Sequence, residues 1–453
     1  MHHAALNLPD VLLGLWRGTL DCDRDRGDSM ARWSWAVLRD EMWKAHGKTV
    51  ADATPYLPGS FDRPPRNPAE KINSGYKAIE YLTYLFVLGP GLLYRILPEP
   101  YYSNFCMLVT GLRILHQRSI LSSDLVQTHQ YLLTFVADYE KIYYQQRTSR
   151  FHFVRQSIHS LTHVALEVQR LGPPGLYSQW TMERTIGNLG QEIRQPSNPY
   201  TNLSERAVRR AQLNAVRALM PGLASHNQRR APRNAHNAGG GYSLRSARDE
   251  TPVDVPQVQA RALQDFLRES GLPPSSRTSQ RGTLRVMRWA RLALPNGQIA
   301  RSEWKESGRA HGRGMRIARN VKVTRNTRSF IAEVLYYFLH RVEGFEEPLA
   351  LAMVHRYSPP DTELLNQTHQ ALAVCTANRH DAYVVRVQEI RLVVGMVPLP
   401  TFGRIPEFPS ATGNLPSLPS PGQATRFFIA EKLGLELAQL GGEGTGEEEE
   451  EED

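Results

Sequence analysis

Phe330-Ile331-Ala332-Glu333-Val334-Leu335-Tyr336-Tyr337-Phe338 is a run of β-branched and aromatic residues broken by one charge. Such residues favour a pleated, half-buried surface. Three more runs of this kind lie at 321–323, 349–354 and 383–397, each bounded by turn residues. Leu294-Pro295-Asn296-Gly297-Gln298 adds the Asn-Gly signal of a tight hairpin. Short strands at this spacing predict a small β-rich domain over 281–400, a barrel or a sandwich.

Upstream of this domain the composition changes. Residues 221–280 are rich in Ser, Asn, Arg, Gly and Pro and read as a disordered basic linker, with one short helix around 258–267. Gly239-Gly240-Gly241 follows no predicted strand, so it is not read as a phosphate-cradling loop. Residues 1–220 read as a mainly α-helical domain. Asn7-Leu8-Pro9 offers a cap and a first-turn proline. Leu125, Leu132, Phe135, Val136, Tyr139, Ile142 and Tyr143 recur at helical spacing. Residues 156–170 form a second amphipathic candidate, stopped by Gly172-Pro173-Pro174. Residues 54–65 hold many prolines and aromatics, which predicts an ordered connection without a long helix. Residues 401–453 read as a loose tail with a short helix at 423–440 and an acidic, disordered end. The fold class expected is therefore α+β and multidomain.

Composition narrows the setting. The three cysteines, Cys22, Cys106 and Cys375, stand far apart, which argues against a disulfide framework or a Cys-rich zinc site and fits a reducing, intracellular compartment. The most apolar segment, 81–94, is interrupted by Gly89-Pro90-Gly91 and is shorter than the ~20 residues a spanning helix needs. The expectation is a soluble chain with no membrane partner. Net charge is +9, and the seven acids of 447–453 leave the rest of the chain near +16. A basic body points to an anionic partner, most often nucleic acid, or to an ordinary basic surface.

Four stretches are similar to the region downstream of the catalytic aspartates in En/Spm (CACTA) DNA transposases, the fungal lineage especially. They are Met1-His2-His3-Ala4-Ala5-Leu6-Asn7-Leu8-Pro9-Asp10 with Gly14-Leu15-Trp16-Arg17-Gly18, then Thr54-Pro55-Tyr56-Leu57-Pro58-Gly59-Ser60-Phe61. Next come Ile158-His159-Ser160-Leu161-Thr162-His163 with Trp180-Thr181-Met182-Glu183-Arg184-Thr185-Ile186-Gly187, and last Arg194-Gln195-Pro196-Ser197-Asn198-Pro199-Tyr200. The resemblance covers roughly residues 1–220. It implies an RNase-H-like core whose three acids hold two Mg2+ or Mn2+ ions for strand transfer in the nucleus. In that family an Asp stands just before the Met-His pair that is Met1-His2 here. In this chain that Asp, and the first acid, would precede residue 1. The expectation is a transposase-derived DNA-binding remnant. Its alternatives are a protein-interaction module, or a nuclease module completed by upstream sequence.

The resemblance makes Glu183 the candidate third acid and metal ligand. An ion pair or a cap at a helix start is the other reading of that residue. His159 and His163, four apart, share one helical face with Glu167, a spacing that suits a metal or a pair of structural histidines. His152 is the nearest extra candidate. Between 281 and 328 basic residues recur against only two acids, Glu303 and Glu306. Arg309, Arg313, Arg316, Arg319, Lys322 and Arg325 are the expected phosphate contacts, with Trp289, Trp304 and Tyr336 as stacking rings. A solvated Arg-rich loop is the competing reading.

Overall fold

The computed structural model describes residues 2–193, 197–220, 234–273, 284–306, 316–326, 328–403, 415–419 and 423–434. Pro9 lies in the first turn of α1 (Leu8–Arg17), where its missing N–H costs no hydrogen bond. A π turn, His3–Asn7, runs straight into this helix, so Asn7 is itself helical and its side chain caps nothing. Leu8, Val11, Leu12, Leu15 and Trp16 are all shut from solvent. Gly18, at φ 65°, ends the helix in the left-handed conformation glycine tolerates.

The longer helices that follow in this half are α2 (Asp40–Asp52), α3 (Tyr101–Leu115), α4 (Ser122–Tyr139), α5 (Leu161–Leu171), α6 (Trp180–Glu192) and α7 (Pro199–Leu219), with short helices between them. In α4 the helical spacing read from the sequence buries Leu132, Phe135, Val136 and Tyr139. Tyr143 follows on a π turn, and its hydroxyl accepts the Trp16 indole N–H at 3.0 Å. The apolar segment 81–94 lies inside the core. No helix among the described residues is long and apolar enough to cross a membrane. Residues 54–65 form two ordered 3-10 turns that bury Leu57 and Phe61. All three cysteines are free thiols.

The second half is antiparallel β-sheet, giving an α+β chain. Its elements are β1 (His236–Gly239), β2 (Tyr242–Arg248), helix α8 (Gln257–Glu269), β3 (Arg288–Ala293), β4 (Asn320–Arg325) and β5 (Arg328–His340). There follow β6 (Leu349–Tyr357), β7 (Val374–Arg386), β8 (Ile390–Val393), β9 (Gly395–Pro398) and β10 (Arg426–Ala430). The strand order is β1-β2-β3-β5-β6-β7-β10-β9, and β4 pairs with both β5 and β8. The Asn296-Gly297 turn links β3 to the short strand Ile299–Arg301, as its chemistry predicts.

The decisive run lies at the centre of this sheet. Val334 pairs with Val354, Tyr337 with Ala352 and Phe338 with Leu351. Tyr337 packs with Leu292, Val354 and Val385 on one face. Tyr336 and Phe338 pack on the other face against Leu263, Phe266 and Leu267 of α8. Burial on both faces is why the run is almost continuously apolar. Opposite edges of the sheet are joined by side chains: Tyr242 of β2 donates to the Ile390 carbonyl of β8 at 2.9 Å.

Three expectations change here. The linker expected over 221–280 carries β1 and β2 besides the helix expected there, which is α8, and Gly239-Gly240-Gly241 makes the β1–β2 hairpin. All three glycines take positive φ, which a tight reversal requires. The tail expected over 401–453 contains β10, a strand between β7 and β9 where part of a helix was expected. The halves also share one core: Phe428, Ala430, Val374 and Leu372 pack with Leu88, Leu108 and Phe105.

Candidate functional site

Two of the four stretches that carry the resemblance meet, the first and the third. Glu183 occupies the first turn of α6, where a carboxylate is favoured by the exposed helix N–H groups. His2 Nε2 stands 3.7 Å from Glu183 Oε1, although 181 positions separate them in the chain. Both side chains are about half exposed. Next to them, His3 Nε2–H donates to the Ser157 carbonyl at 2.7 Å. Arg155 bridges to Asp10 of α1 at 2.8 Å, tying the same two segments together.

His159 closes a short helix, Gln156–His159, and His163 lies in the first turn of α5. Their Nε2 atoms are 3.3 Å apart, so one ring donates to the other. Two zinc–nitrogen bonds of about 2.05 Å at a tetrahedral angle would also set the nitrogens about 3.3 Å apart. The pair is therefore already spaced for one ion. The rest of the expected ligand set is not gathered around it. Among the described residues no three His, Cys, Asp or Glu side chains come close enough to share a metal. Glu167 pairs with Arg170 at 3.4 Å, and His152 binds the Asp21 carbonyl at 2.7 Å.

Of the six expected phosphate contacts, Arg309 and Arg313 lie outside the described residues. The other four are engaged within the chain. Arg316 donates to the carbonyls of Leu57, Asp62 and Pro58 at 2.8, 2.8 and 2.5 Å. Arg319 bridges Glu333 at 2.6 Å and Glu306 at 3.3 Å, with only 19% of its side chain exposed. Burial would lower the Arg319 pKa, and the two carboxylates more than compensate and raise it. Lys322 pairs with Glu431 at 2.9 Å, and Arg325 with Glu389 at 3.0 Å. The physical reason is that each cation finds carboxylates or carbonyls within reach, Arg316 on the helical half and the other three on the sheet half, and these satisfy it. The proposed stacking rings are occupied as well. Arg248 lies over Trp289, Arg288 and Lys305 over Trp304, and the Tyr336 hydroxyl donates to Gln259.

A basic surface that the sequence reading passed over lies on α7. None of its side chains is buried, and Arg206, Arg209, Arg210 and Arg217 face a single acid, Glu205, on the same helix. Arg206 and Arg210 reach Glu192 of α6. Arg209 and Arg217 are exposed and form no ion pair among the described residues. The signal was present as Arg recurring at three- and four-residue spacing, outweighed by the longer basic run downstream. Comparison of the chain with models of known protein families, with curated proteins and with solved structures found no match.

Proposed function

We propose that this chain is a DNA-binding protein derived from a cut-and-paste transposase of the En/Spm (CACTA) type, acting in the nucleus. The observation that supports this most is the convergence of two of its resemblance-bearing segments: His2 lies at Glu183, with the Ser157–His163 segment alongside. The Mg2+ or Mn2+ pair of such enzymes does not fit the described residues. Hard divalent ions need several oxygen ligands, and Glu183 brings one carboxylate partnered by an imidazole.

DNA is proposed to lie along α7, which follows α6 and its Glu183. Arg209 and Arg217 would neutralise phosphates, a contact that positions a duplex without reading its sequence. The test is duplex binding measured by fluorescence anisotropy across a salt series. Affinity is expected to fall linearly on a log–log plot. Arg209→Gln with Arg217→Gln is expected to make that slope shallower by about 1.8, at about 0.9 per phosphate contact. Affinity indifferent to salt would sink the DNA reading and leave the protein-interaction alternative. A slope unchanged in the double variant would move the contact off α7.

A further inference from the structure

A cavity of about 530 Å³ opens between the helical half and residues 432–434, and the DNA reading makes no use of it. That volume lies within the range of small-molecule sites. Taking about 30 Å³ per non-hydrogen atom, as for liquid water, it has room for roughly fifteen to eighteen such atoms. Leu82, Leu112, Leu115, Val164, Trp180 and Leu433 give it apolar walls. Leu171 and Tyr177 also line it and remain 59% and 47% exposed, which is apolar surface that an occupant would cover.

The polar groups in the walls restrict the occupant's chemistry. The charged ones balance: Asp62 and Glu167 are carboxylates, Arg184 and Lys432 are cations. Lys432 is already committed to Asp62 at 2.8 Å, and Glu167 to Arg170 outside the cavity. A cationic ligand would therefore find no free carboxylate, and a desolvated charge without a partner is strongly disfavoured. An anion would meet only Arg184, which is exposed and forms no ion pair among the described residues, so water largely screens its charge.

Two histidines of the lining offer acceptors. His116 Nδ1 bonds the Leu112 carbonyl at 2.7 Å, so Nδ1 carries the hydrogen and Nε2 keeps a lone pair. Burial lowers the His116 pKa, which keeps the ring neutral. His116 Nε2 has no hydrogen-bond partner among the described residues. His3 is held the same way: its Nε2–H goes to the Ser157 carbonyl, and burial lowers its pKa too.

We propose that this cavity is a binding site for a neutral, mainly apolar small molecule bearing one hydroxyl or N–H donor, which His116 Nε2 accepts. The site is separate from α7, so it stands or falls apart from DNA binding.

The probe is N-phenyl-1-naphthylamine, neutral, apolar and carrying one N–H, added to the full chain and followed by its fluorescence. Saturable binding with one site per chain is expected. Its sulfonated analogue, 8-anilinonaphthalene-1-sulfonate, is expected to bind at least about tenfold more weakly. 1-Decanol should displace the probe, and decanoate should do so about tenfold less well. Val164→Trp, which fills the space from α5, should abolish saturable binding. His116→Phe, which keeps a ring and removes the acceptor, should weaken it roughly fivefold or more. If Val164→Trp fails to fold, the His116→Phe and decanol measurements decide the matter. Absence of saturable binding, equal affinity for the sulfonate, or binding unchanged in His116→Phe would overturn the proposal.

Discussion

The ring of Phe428 lies against Gly91 so closely that a Cβ on the glycine would sit 2.5 Å from the ring edge. Gly91 belongs to the helical half and Phe428 to β10, so their contact joins the two halves. Phe428 is 1% exposed and has little space to move into. Gly91→Ala should therefore overpack the seam and lower stability by about 1–3 kcal/mol, read as a shift in the urea midpoint. Helix and sheet signals should fall in one transition, because the cluster that includes Phe428 and Val374 joins the sheet to the helices. Two separate transitions would contradict the shared core.

The sequence made the architecture legible where one residue type had one physical meaning. The α4 periodicity, the β5 run and the Asn296-Gly297 turn each signal structure locally, and each is found. β1 and β2 are not legible because His236-Asn237-Ala238-Gly239 and Tyr242-Ser243-Leu244-Arg245 hold few apolar residues; β2 owes its place to pairing with β3, and β1 to pairing with β2. The sequence predicts helix where β10 lies because Arg426-Phe427-Phe428-Ile429-Ala430 is apolar in both periods, and only tertiary pairing chooses. Site residues were least legible. A local window shows that Arg316 and Arg319 are basic, but the Pro58 carbonyl that holds Arg316 lies 258 residues away, and Glu333 reaches Arg319 only once the next strand has paired.

Asp28 and Arg150 form an ion pair sealed from solvent, with 0% and 1% of their side chains exposed. Burial alone would raise the Asp28 pKa. Hydrogen bonds from Arg150, the Ser29 backbone and Trp33 outweigh it and hold the carboxyl below its usual range. A depressed carboxyl pKa contributes stability that is present above the unfolded value, about 3.9, and is lost as pH falls below it. Asp28→Ala would leave the Arg150 guanidinium buried without its partner. A loss of about 3–5 kcal/mol is expected at pH 7 in chemical denaturation. A loss under about 1 kcal/mol would mean that water reaches Arg150.

His46 has its imidazole fully buried with Nε2 against the Tyr84 hydroxyl at 2.8 Å, and burial takes its pKa down to about 3. The unfolded chain binds this proton near pH 6.5, and the folded chain does not. Stability from His46 is therefore complete above pH 6.5 and declines as pH falls toward 3. Between pH 6.5 and 5 the decline should be about 2 kcal/mol, at about 1.36 kcal/mol per unit. His46→Gln should flatten the pH dependence of the urea midpoint in that interval. An equally steep profile in the variant would assign the proton to another group.

His159 and His163 already hold their Nε2 atoms 3.3 Å apart, so binding one Zn2+ or Co2+ ion requires loss of a single imidazole–imidazole hydrogen bond. Because two imidazoles fill only half of a tetrahedral shell and water must complete it, the site should be weak. Titration of the full chain with Co2+, followed by its visible absorption, should give weak saturable binding. His159→Ala and His163→Ala should each abolish it, since either leaves a lone exposed imidazole. Glu183→Gln should leave the titration unchanged, because no third ligand joins the pair among the described residues. A Co2+ affinity that falls with Glu183→Gln would instead bring the carboxylate, the two histidines and the ion into one centre, and the view of Glu183 as an acid without a metal would have to be abandoned.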